Sequence, residues 1–258
     1  MATSSQAVPL RRLIVNADDF GRSSSINEAV VRAHCEGILT TASLMVNEVG
    51  FKEAVAIARG NPRLGVGLHL WLSSCPVSAG FRLFFKPSLR PKLKSDIRAQ
   101  LDRFMASGLT LDHVNSHHHL HMHPSVVGIL LECLRELRIV HLRLTREPLW
   151  INVRNIAGRR FRHLTHALIY VILARRARRA FDRNQIRHPQ FVFGLMQNHA
   201  VDEAYLKQLL PALPEGDSEV YSHPSMDVFR HEFDALVSPR VRDLVQRLGI
   251  RLIRYQDL

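Results

Sequence analysis

The sequence of 258 residues has few cysteines and no apolar run long enough to cross a bilayer. Its three cysteines, Cys35, Cys75 and Cys133, are widely spaced and form no Cys-x-x-Cys pair, so neither a disulfide framework nor a structural zinc knuckle is expected. The longest apolar stretch, residues 164–174, contains polar residues and has roughly half of the ~20 residues that a membrane span needs. We therefore expect a protein that does not span a membrane.

The sequence also lacks a secretory signal, an internal repeat and a low-complexity linker. Residues 1–9 have neither the charged head nor the apolar core of a signal peptide. Together with the unpaired cysteines, this favours a cytoplasmic protein in a reducing compartment. Hydrophobic residues make up 46% of the chain, which is enough apolar surface to exclude a disordered protein. We expect one domain over residues 1–258.

Acidic residues are too few to balance the basic ones. The chain has 35 Lys and Arg against 23 Asp and Glu, a formal net charge of +12, and this admits nucleic acid, an anionic membrane surface or an acidic substrate as partner. Much of the excess lies in a basic insertion at about residues 147–190, where arginine clusters flank the apolar stretch. Such a helix either packs on the domain or makes peripheral contact with an anionic membrane. Nucleic acid is not expected, because the insertion has few aromatic residues and the chain contains no recognised binding module.

Apolar segments of strand length alternate with helical patterns along the chain. We expect strands near residues 13–16, 41–46, 64–72, 111–116, 141–144, 191–195, 219–222 and 250–254, with helices between them. This alternation predicts an α/β fold with a parallel sheet and right-handed crossovers. The length favours a somewhat irregular (β/α) barrel of seven or eight strands that carries the basic helical insertion.

Unusual polar residues follow several of these strands, where a (β/α) barrel collects its catalytic groups. They are Asp18, Asp19, His69, the five histidines of residues 117–123, Arg143, Arg146 and His223. Two consecutive carboxylates can divide the work, one binding a cation and the other accepting a proton from an activated water. A histidine-rich loop beside them favours a divalent metal site that uses two or three of the imidazoles.

Each of these residues also has a structural interpretation. The Asp pair is typical of a turn or a helix cap. His69 alone is more often a hydrogen-bonded core histidine, and His223 before Pro224 is typical of a strand end. The two arginines are either solvated charges or partners that orient a carboxylate and lower its pKa.

Four motifs resemble those of the YdjC-like carbohydrate deacetylases, in order and in spacing. They are VNADDFG at 15–21, GLHL at 67–70, DHVNSHHHLHM at 112–122 and EVYSHP at 219–224, and together they span nearly the whole chain. The resemblance implies a metal-dependent amide hydrolase on a (β/α) barrel, which removes the acetyl group from an N-acetylated sugar. The long basic insertion is similar to that of the hopanoid-associated branch of the family, whose implied substrate is an N-acetylglucosaminyl hopanoid lipid.

The resemblance also implies roles for single residues. Asp19, His69 and His117 match the metal positions, with His121 as an alternative ligand, and Asp18 and His223 become the general base and the general acid. Which aspartate is base and which is ligand stays open. Contacts to substrate are expected from Arg143, Arg146, His119 and Phe84. Asn115 departs from the family, which often has Asp there, and so removes a carboxylate that would orient a ligand imidazole.

One divalent ion is implied, with Zn²⁺ or Mg²⁺ first and Mn²⁺, Co²⁺ or Fe²⁺ compatible with mixed nitrogen and oxygen ligands. Two other enzymes remain as alternatives, a chitooligosaccharide deacetylase and a metal-dependent phosphoesterase, since nearby arginines also bind phosphate. A noncatalytic metal-binding scaffold is a third. The sequence leaves the oligomeric state open.

Overall fold

The computed structural model describes residues 10–72, 87–148, 160–197 and 199–258. The strands in these ranges are β1 (Arg11–Phe20), β2 (Thr41–Leu44), β3 (Gly65–Leu70), β4 (Leu111–Ser116), β5 (Phe191–Phe193), β6 (Gly216–Ser222) and β7 (Arg251–Leu252). The helices are α1 (Ser24–Glu36), α2 (Phe51–Gly60), α3 (Arg90–Ala106), α4 (Pro124–Leu137), α5 (Arg160–Arg183), α6 (Glu203–Ala212), α7 (Arg230–Val237) and α8 (Pro239–Arg247). The alternation confirms the predicted α/β class.

The strands form one curled parallel sheet. Its order is β4-β3-β2-β1-β6-β5, and β7 adds to β1 outside this path, giving seven strands in the described residues. Residues 141–147 run between the two edge strands: Leu142 bridges to Val114 of β4, and the Val192 N–H of β5 donates to the carbonyl of Arg146 at 2.9 Å. The strand predicted at 141–144 is therefore an extended bridging segment, and the sheet takes the barrel-like form that was expected.

Side-chain caps set the start of several helices. The Ser23 hydroxyl accepts a hydrogen bond from the first turn of α1, as the sequence predicts, and Asp202 and Ser238 do the same for α6 and α8. Pro239 occupies the first turn of α8, where its missing N–H costs nothing. These caps fix where each of the three helices begins.

Alternation along the strands separates an apolar layer from a polar interior. In β1, Leu13, Val15 and Ala17 belong to the main hydrophobic core, whereas Asn16 and Asp18 contact polar side chains of other strands. The polar interior continues through buried residues of the other strands, namely Ser43, His69, His113, Asn115, Arg143 and Glu219. The barrel thus holds a hydrogen-bonded polar network that leads to the carboxyl ends of the strands.

The basic insertion contains α5, as predicted. In its described side chains, Ala174, Ala177 and Phe181 are buried against the domain. The arginines on the other face are exposed, namely Arg175, Arg176, Arg178 and Arg179. One face of this helix therefore packs and the other carries positive charge to solvent. No helix in the described ranges is both long and apolar enough to cross a membrane.

Candidate metal centre

Asp19, His69 and His117 meet at the carboxyl ends of β1, β3 and β4. Asp19 Oδ1 lies 3.3 Å from His69 Nε2 and 3.3 Å from His117 Nδ1. Within the part of the chain that the structure describes, Asp19 Oδ1 and His69 Nε2 are buried without any hydrogen-bond partner. Buried polar atoms are nearly always paired, so these two point to a ligand outside the protein. One carboxylate and two imidazoles form a donor set that suits a divalent cation.

An unusual backbone turn aims the Asp19 carboxylate at this point. Asp19 has φ of 65°, in the left-handed region, and the pairing of β1 with β2 shifts register between Ala17 and Phe20. Consecutive side chains therefore leave β1 in directions that a regular strand would not allow. The other carboxylate oxygen, Oδ2, accepts a hydrogen bond from Arg22 Nη1 at 2.8 Å. Asp19 is thereby fixed with one oxygen still unpaired.

Asn115 sets the orientation of the His69 ring. Its amide nitrogen donates to Asp18 and to the Ser43 hydroxyl, so its carbonyl oxygen faces His69 and accepts the Nδ1 proton at 2.7 Å. A neutral His69 then carries its lone pair on Nε2, toward Asp19. Burial lowers the pKa of His69, but Asp18 and Asp19 outweigh this and raise it. A proton and a cation therefore compete for Nε2.

Asp18 is buried beside the cluster and is held by charge-assisted hydrogen bonds. Arg143 donates to both of its oxygens, at 2.8 and 3.0 Å, and Asn16 donates to Oδ1 at 2.8 Å. Burial raises the pKa of Asp18, but Arg143 and His69 hold it well below the usual range. For Asp19 too, burial is outweighed, by the adjacent His117 and His69 imidazoles, and its pKa is low. Both carboxylates are therefore ionised at neutral pH.

Arg143 lies inside the barrel and joins two carboxylates. Its side chain is fully buried, and each of its nitrogens donates to Asp18 or Glu219. Its guanidinium also lies 4.6 Å from the centre of the Tyr221 ring, and Glu219 accepts a further hydrogen bond from Tyr255 at 2.5 Å. The expectation that Arg143 binds substrate stays a prediction, and the structure shows this buried group donating to Asp18 and Glu219. The alternative interpretation, a partner of the carboxylate, is the one that the structure shows.

His121 is not brought to the cluster. Its Nε2 donates to the Arg143 carbonyl at 3.1 Å, and its Nδ1 accepts from the Ser116 hydroxyl at 2.9 Å. Burial lowers the pKa of His121 to about 3, so the ring is neutral and both nitrogens are used. The predicted alternative ligand fails because His118 and His119 have φ of 55° and 54°, which breaks the helical spacing between positions 117 and 121.

His119 and His223 lie on the side of the cluster near β6. His119 Nε2 is 2.9 Å from the Tyr221 hydroxyl, and burial keeps the pKa of His119 well below its usual value. The His223 backbone N–H donates to Glu232, and its ring centre lies 4.3 Å from that of His199. Burial lowers the pKa of His223 as well, so both imidazoles are neutral at pH 7.

Two predicted substrate contacts remain, Arg146 and Phe84. Arg146 is exposed, and its guanidinium lies 5.2 Å from the centre of the Phe191 ring. Phe84 lies outside the described residues. Other site residues were missed by the sequence interpretation, namely Asn16, Arg22, Ser43, Trp71, Glu219 and Tyr255. Side chains two positions apart on a strand point to the same face. This alternation could have indicated that Asn16 lies beside Asp18 and that Trp71 lies beside His69.

The family model described as YdjC-like protein matches residues 12–247 of this sequence. A carbohydrate deacetylase of Brevibacillus brevis is 44% identical over 142 residues, which is 50% of this chain and 57% of that protein. A carbohydrate deacetylase of Clostridium beijerinckii is 31% identical over 266 residues, covering 96% of this chain and all of that protein, 100%. A crystal structure from Enterococcus faecalis, of a putative cellobiose-phosphate cleavage protein, has the same fold, with a TM-score of 0.70 at 22% identity over 96% of this chain and 98% of that one.

Proposed function

This chain belongs to the YdjC-like family, and from that premise we propose that it is a metal-dependent carbohydrate deacetylase that hydrolyses an N-acetylated sugar to the free amine and acetate. One observation carries the proposal: Asp19 Oδ1 and His69 Nε2 are buried, 3.3 Å apart and unpaired in the described residues, beside a second ionised carboxylate. Relatives named carbohydrate deacetylases support the substrate class.

Asp19, His69 and His117 would hold the ion. A divalent cation supplies positive charge that polarises the acetamide carbonyl and makes a water more acidic. The donor set favours Zn²⁺, Mn²⁺, Fe²⁺ or Co²⁺, with Mg²⁺ compatible where water completes the shell. Asn115 and Arg22 keep the first two side chains in position, which is the role that groups behind a metal ligand usually have.

Asp18 would act as the general base, because Asp19 is the carboxylate with an unpaired oxygen and is thus the ligand. Arg143 keeps Asp18 ionised and fixes the plane of its carboxylate. An ionised carboxylate next to the reacting centre can accept the proton of the attacking water. Its hydrogen bonds hold it without rotation, so no reorganisation is needed at the moment of transfer.

His223 would protonate the departing amine. Its side chain is half-buried, and loss of solvent lowers its pKa while the charges of Asp18 and Asp19 act in the opposite direction. A histidine in this setting is neutral at rest and becomes a strong acid once it holds a proton. With a proton taken up from solvent, it would release that proton readily to the departing amine, and Asp18 would return the proton of the attacking water to solvent.

Within this substrate class, the proposed substrate is an N-acetylglucosaminyl hopanoid lipid. The protein would act on it in the cytoplasm, at the inner face of the membrane. The exposed arginines of α5 support this, because a positive helix face is attracted to anionic headgroups. The other face of α5 packs on the domain and would keep these arginines in position. A soluble chitooligosaccharide is the alternative substrate. An enzyme acting on that substrate would not need α5 to bind a membrane.

The phosphoesterase alternative loses the support of its central arginine. Arg143 was the cation nearest to the predicted base, and its guanidinium is already shared between Asp18 and Glu219. A phosphate would have to compete with these two carboxylates for the guanidinium. We therefore keep the deacetylase as the proposed function.

The test is release of acetate from N-acetylglucosaminyl hopanoid and from chitobiose by protein loaded with Zn²⁺, compared with chelator-treated protein. We expect acetate from the loaded protein and a loss of at least about a hundredfold in Asp18→Asn. Asp102→Asn on the exposed face of α3 is the matched control and should keep full activity. Deacetylation that persists when Asp18→Asn and His117→Ala are combined, or release of phosphate from a sugar phosphate in place of acetate, would overturn the assignment.

A further inference from the structure

Three aromatic side chains lead outward from the candidate metal centre. The centre of the Trp71 ring lies 4.6 Å from that of His117 and 6.4 Å from that of His118, and the two histidine rings are 4.1 Å apart. His117 in turn lies edge-on to the buried His69 at 5.7 Å. Exposure increases along this series, from the buried His69 through the half-buried His117 and Trp71 to the exposed His118. We call Trp71, His117 and His118 the aromatic wall.

The backbone of Trp71 is fixed by a side chain of α3. The Trp71 N–H donates to the Gln100 side-chain oxygen at 2.9 Å, and the Gln100 side-chain nitrogen donates back to the Trp71 carbonyl at 3.0 Å. Gln100 is itself buried. Two hydrogen bonds from one buried amide hold the residue directly after β3 in a fixed direction. The backbone of Trp71 is therefore held rigidly, although the residue lies at the half-buried end of the barrel.

The other side of the wall is held by strained backbone. His118 and His119 both have left-handed φ angles, which residues with a Cβ adopt rarely. Two such residues in succession turn His118 away from the polar interior and toward Trp71. Strain of this kind persists where the placement of a side chain is used.

We propose that Trp71 is the specificity-determining residue of the sugar subsite, where its indole covers the apolar C–H face of the N-acetylated pyranose next to the metal. This rests on the proposed deacetylase function. The wall begins at a predicted metal ligand and ends in solvent, so a sugar lying along it has its acetamido group at the centre. Ligand sites combine apolar aromatic surface with a few polar groups in this way, and here Asp18, Asp19 and His69 supply the polar groups next to the wall.

The experiment uses intrinsic fluorescence in a Trp150→Phe background, because Trp150 is the only other tryptophan of the sequence. Asp18→Asn is added so that the sugar binds without turnover. Titration of the Zn²⁺-loaded protein with N-acetylglucosamine and with di-N-acetylchitobiose should shift the Trp71 emission saturably. By calorimetry, Trp71→Leu should weaken sugar binding about tenfold and Trp71→Phe less, while Zn²⁺ affinity stays within about twofold.

Three outcomes would overturn the inference. The first is a Trp71 emission that does not respond to sugar in protein that holds its metal. The second is unchanged sugar affinity in Trp71→Leu. The third is a loss of Zn²⁺ affinity in Trp71→Leu that equals the loss of sugar affinity, which would make Trp71 a support for His117 only. Failure of the proposed function is distinguishable, because sugar would then bind and shift Trp71 emission while the protein with Asp18 intact released no acetate.

Discussion

The carbonyl oxygen of Asn115 accepts the Nδ1 proton of His69 at 2.7 Å, and this places the lone pair of a neutral His69 on the nitrogen that faces Asp19. The amide of Asn115 cannot rotate, because its nitrogen donates to the ionised Asp18. The family resemblance implies a carboxylate at this position, and here a neutral amide oxygen accepts the Nδ1 proton of His69. The cost of this exchange is a less basic His69, since an amide oxygen pulls less strongly on the proton than a carboxylate does.

Replacing Asn115 with Ala should weaken metal binding about 10-fold to 100-fold, the usual effect of losing a group behind a metal ligand. His69 would lose the bond that fixes its ring, and Asp18 would lose one donor. Competition titration with a Zn²⁺ chelator measures the affinity. Asn184→Ala, at the end of α5, removes an asparagine with hydrogen bonds far from the site and should leave affinity unchanged. Equal affinities in wild type and Asn115→Ala would show that the ring needs no such support.

Two histidines of the same loop should respond differently to substitution. His117→Ala removes a predicted ligand and should abolish stoichiometric Zn²⁺ binding, whereas His121→Ala should keep it, because the His121 nitrogens bind Ser116 and Arg143. His121→Ala should instead lower the free energy of unfolding by about 1–3 kcal/mol, since the buried Arg143 carbonyl and the proton of the buried Ser116 hydroxyl lose the partners that the imidazole supplied. Metal content after dialysis and urea denaturation separate the two effects. Metal loss in both variants would restore His121 as a ligand.

The fold and the ends of its strands could be predicted because their signals are local. Strand length, helix caps and the alternation of the two are set by neighbouring residues, and β4 and α4 begin and end where the sequence indicates. The convergence of polar residues at strand ends was predictable from the order of the strands, whereas the choice of Asp19, His69 and His117 as metal positions rested on the family resemblance. The short helix α7 was missed, since no side-chain cap marks its start at Phe229.

The partners inside the barrel could not be predicted, because they come from residues far apart in the chain. Arg143 and Asp18 are separated by 125 positions, and only the curled sheet shows that they face each other. His121 was misassigned for a related reason: spacing of four suggests one helix face, but two left-handed residues intervene. Backbone strain at residues with a Cβ has no simple sequence signature.

Gly67 should not tolerate even a methyl group. A Cβ there would lie 2.4 Å from the His113 ring, which packs across β3 and stacks on Tyr255 at 4.1 Å. Gly67→Ala should therefore lower the free energy of unfolding by about 1–3 kcal/mol through overpacking. Gly60→Ala is the matched control: it lies in α2 with nothing within 4 Å, and it should be neutral or stabilising. Thermal unfolding of the two variants checks this, and equal melting temperatures would mean that the ring can move aside.

Replacing Arg143 with Met should be among the most destabilising changes in the barrel, because it leaves Asp18 and Glu219 buried without their cation. The expected loss is about 3–5 kcal/mol at neutral pH, measured by urea denaturation with chelator present. Arg98→Met is the control. It removes an arginine that also pairs with two carboxylates, Asp102 and Glu136, but on the exposed face of α3, and it should change stability little.

The stability lost in Arg143→Met should depend on pH, because the charge of the buried Asp18 contributes to the loss. In the wild type the pKa of Asp18 is depressed, so its contribution to stability is complete above the unfolded value of about 4 and is lost only below it. In Arg143→Met the strongest opposing charge is removed, so burial raises the folded pKa of Asp18 relative to the wild type although His69 still lowers it, and the variant gains stability relative to the wild type as the pH falls. The gap between the two proteins should therefore narrow on acidification from about pH 8 to about pH 4. A gap that stays constant over this range would mean that the lost packing of the arginine stem, and not the charge of Asp18, accounts for the destabilisation.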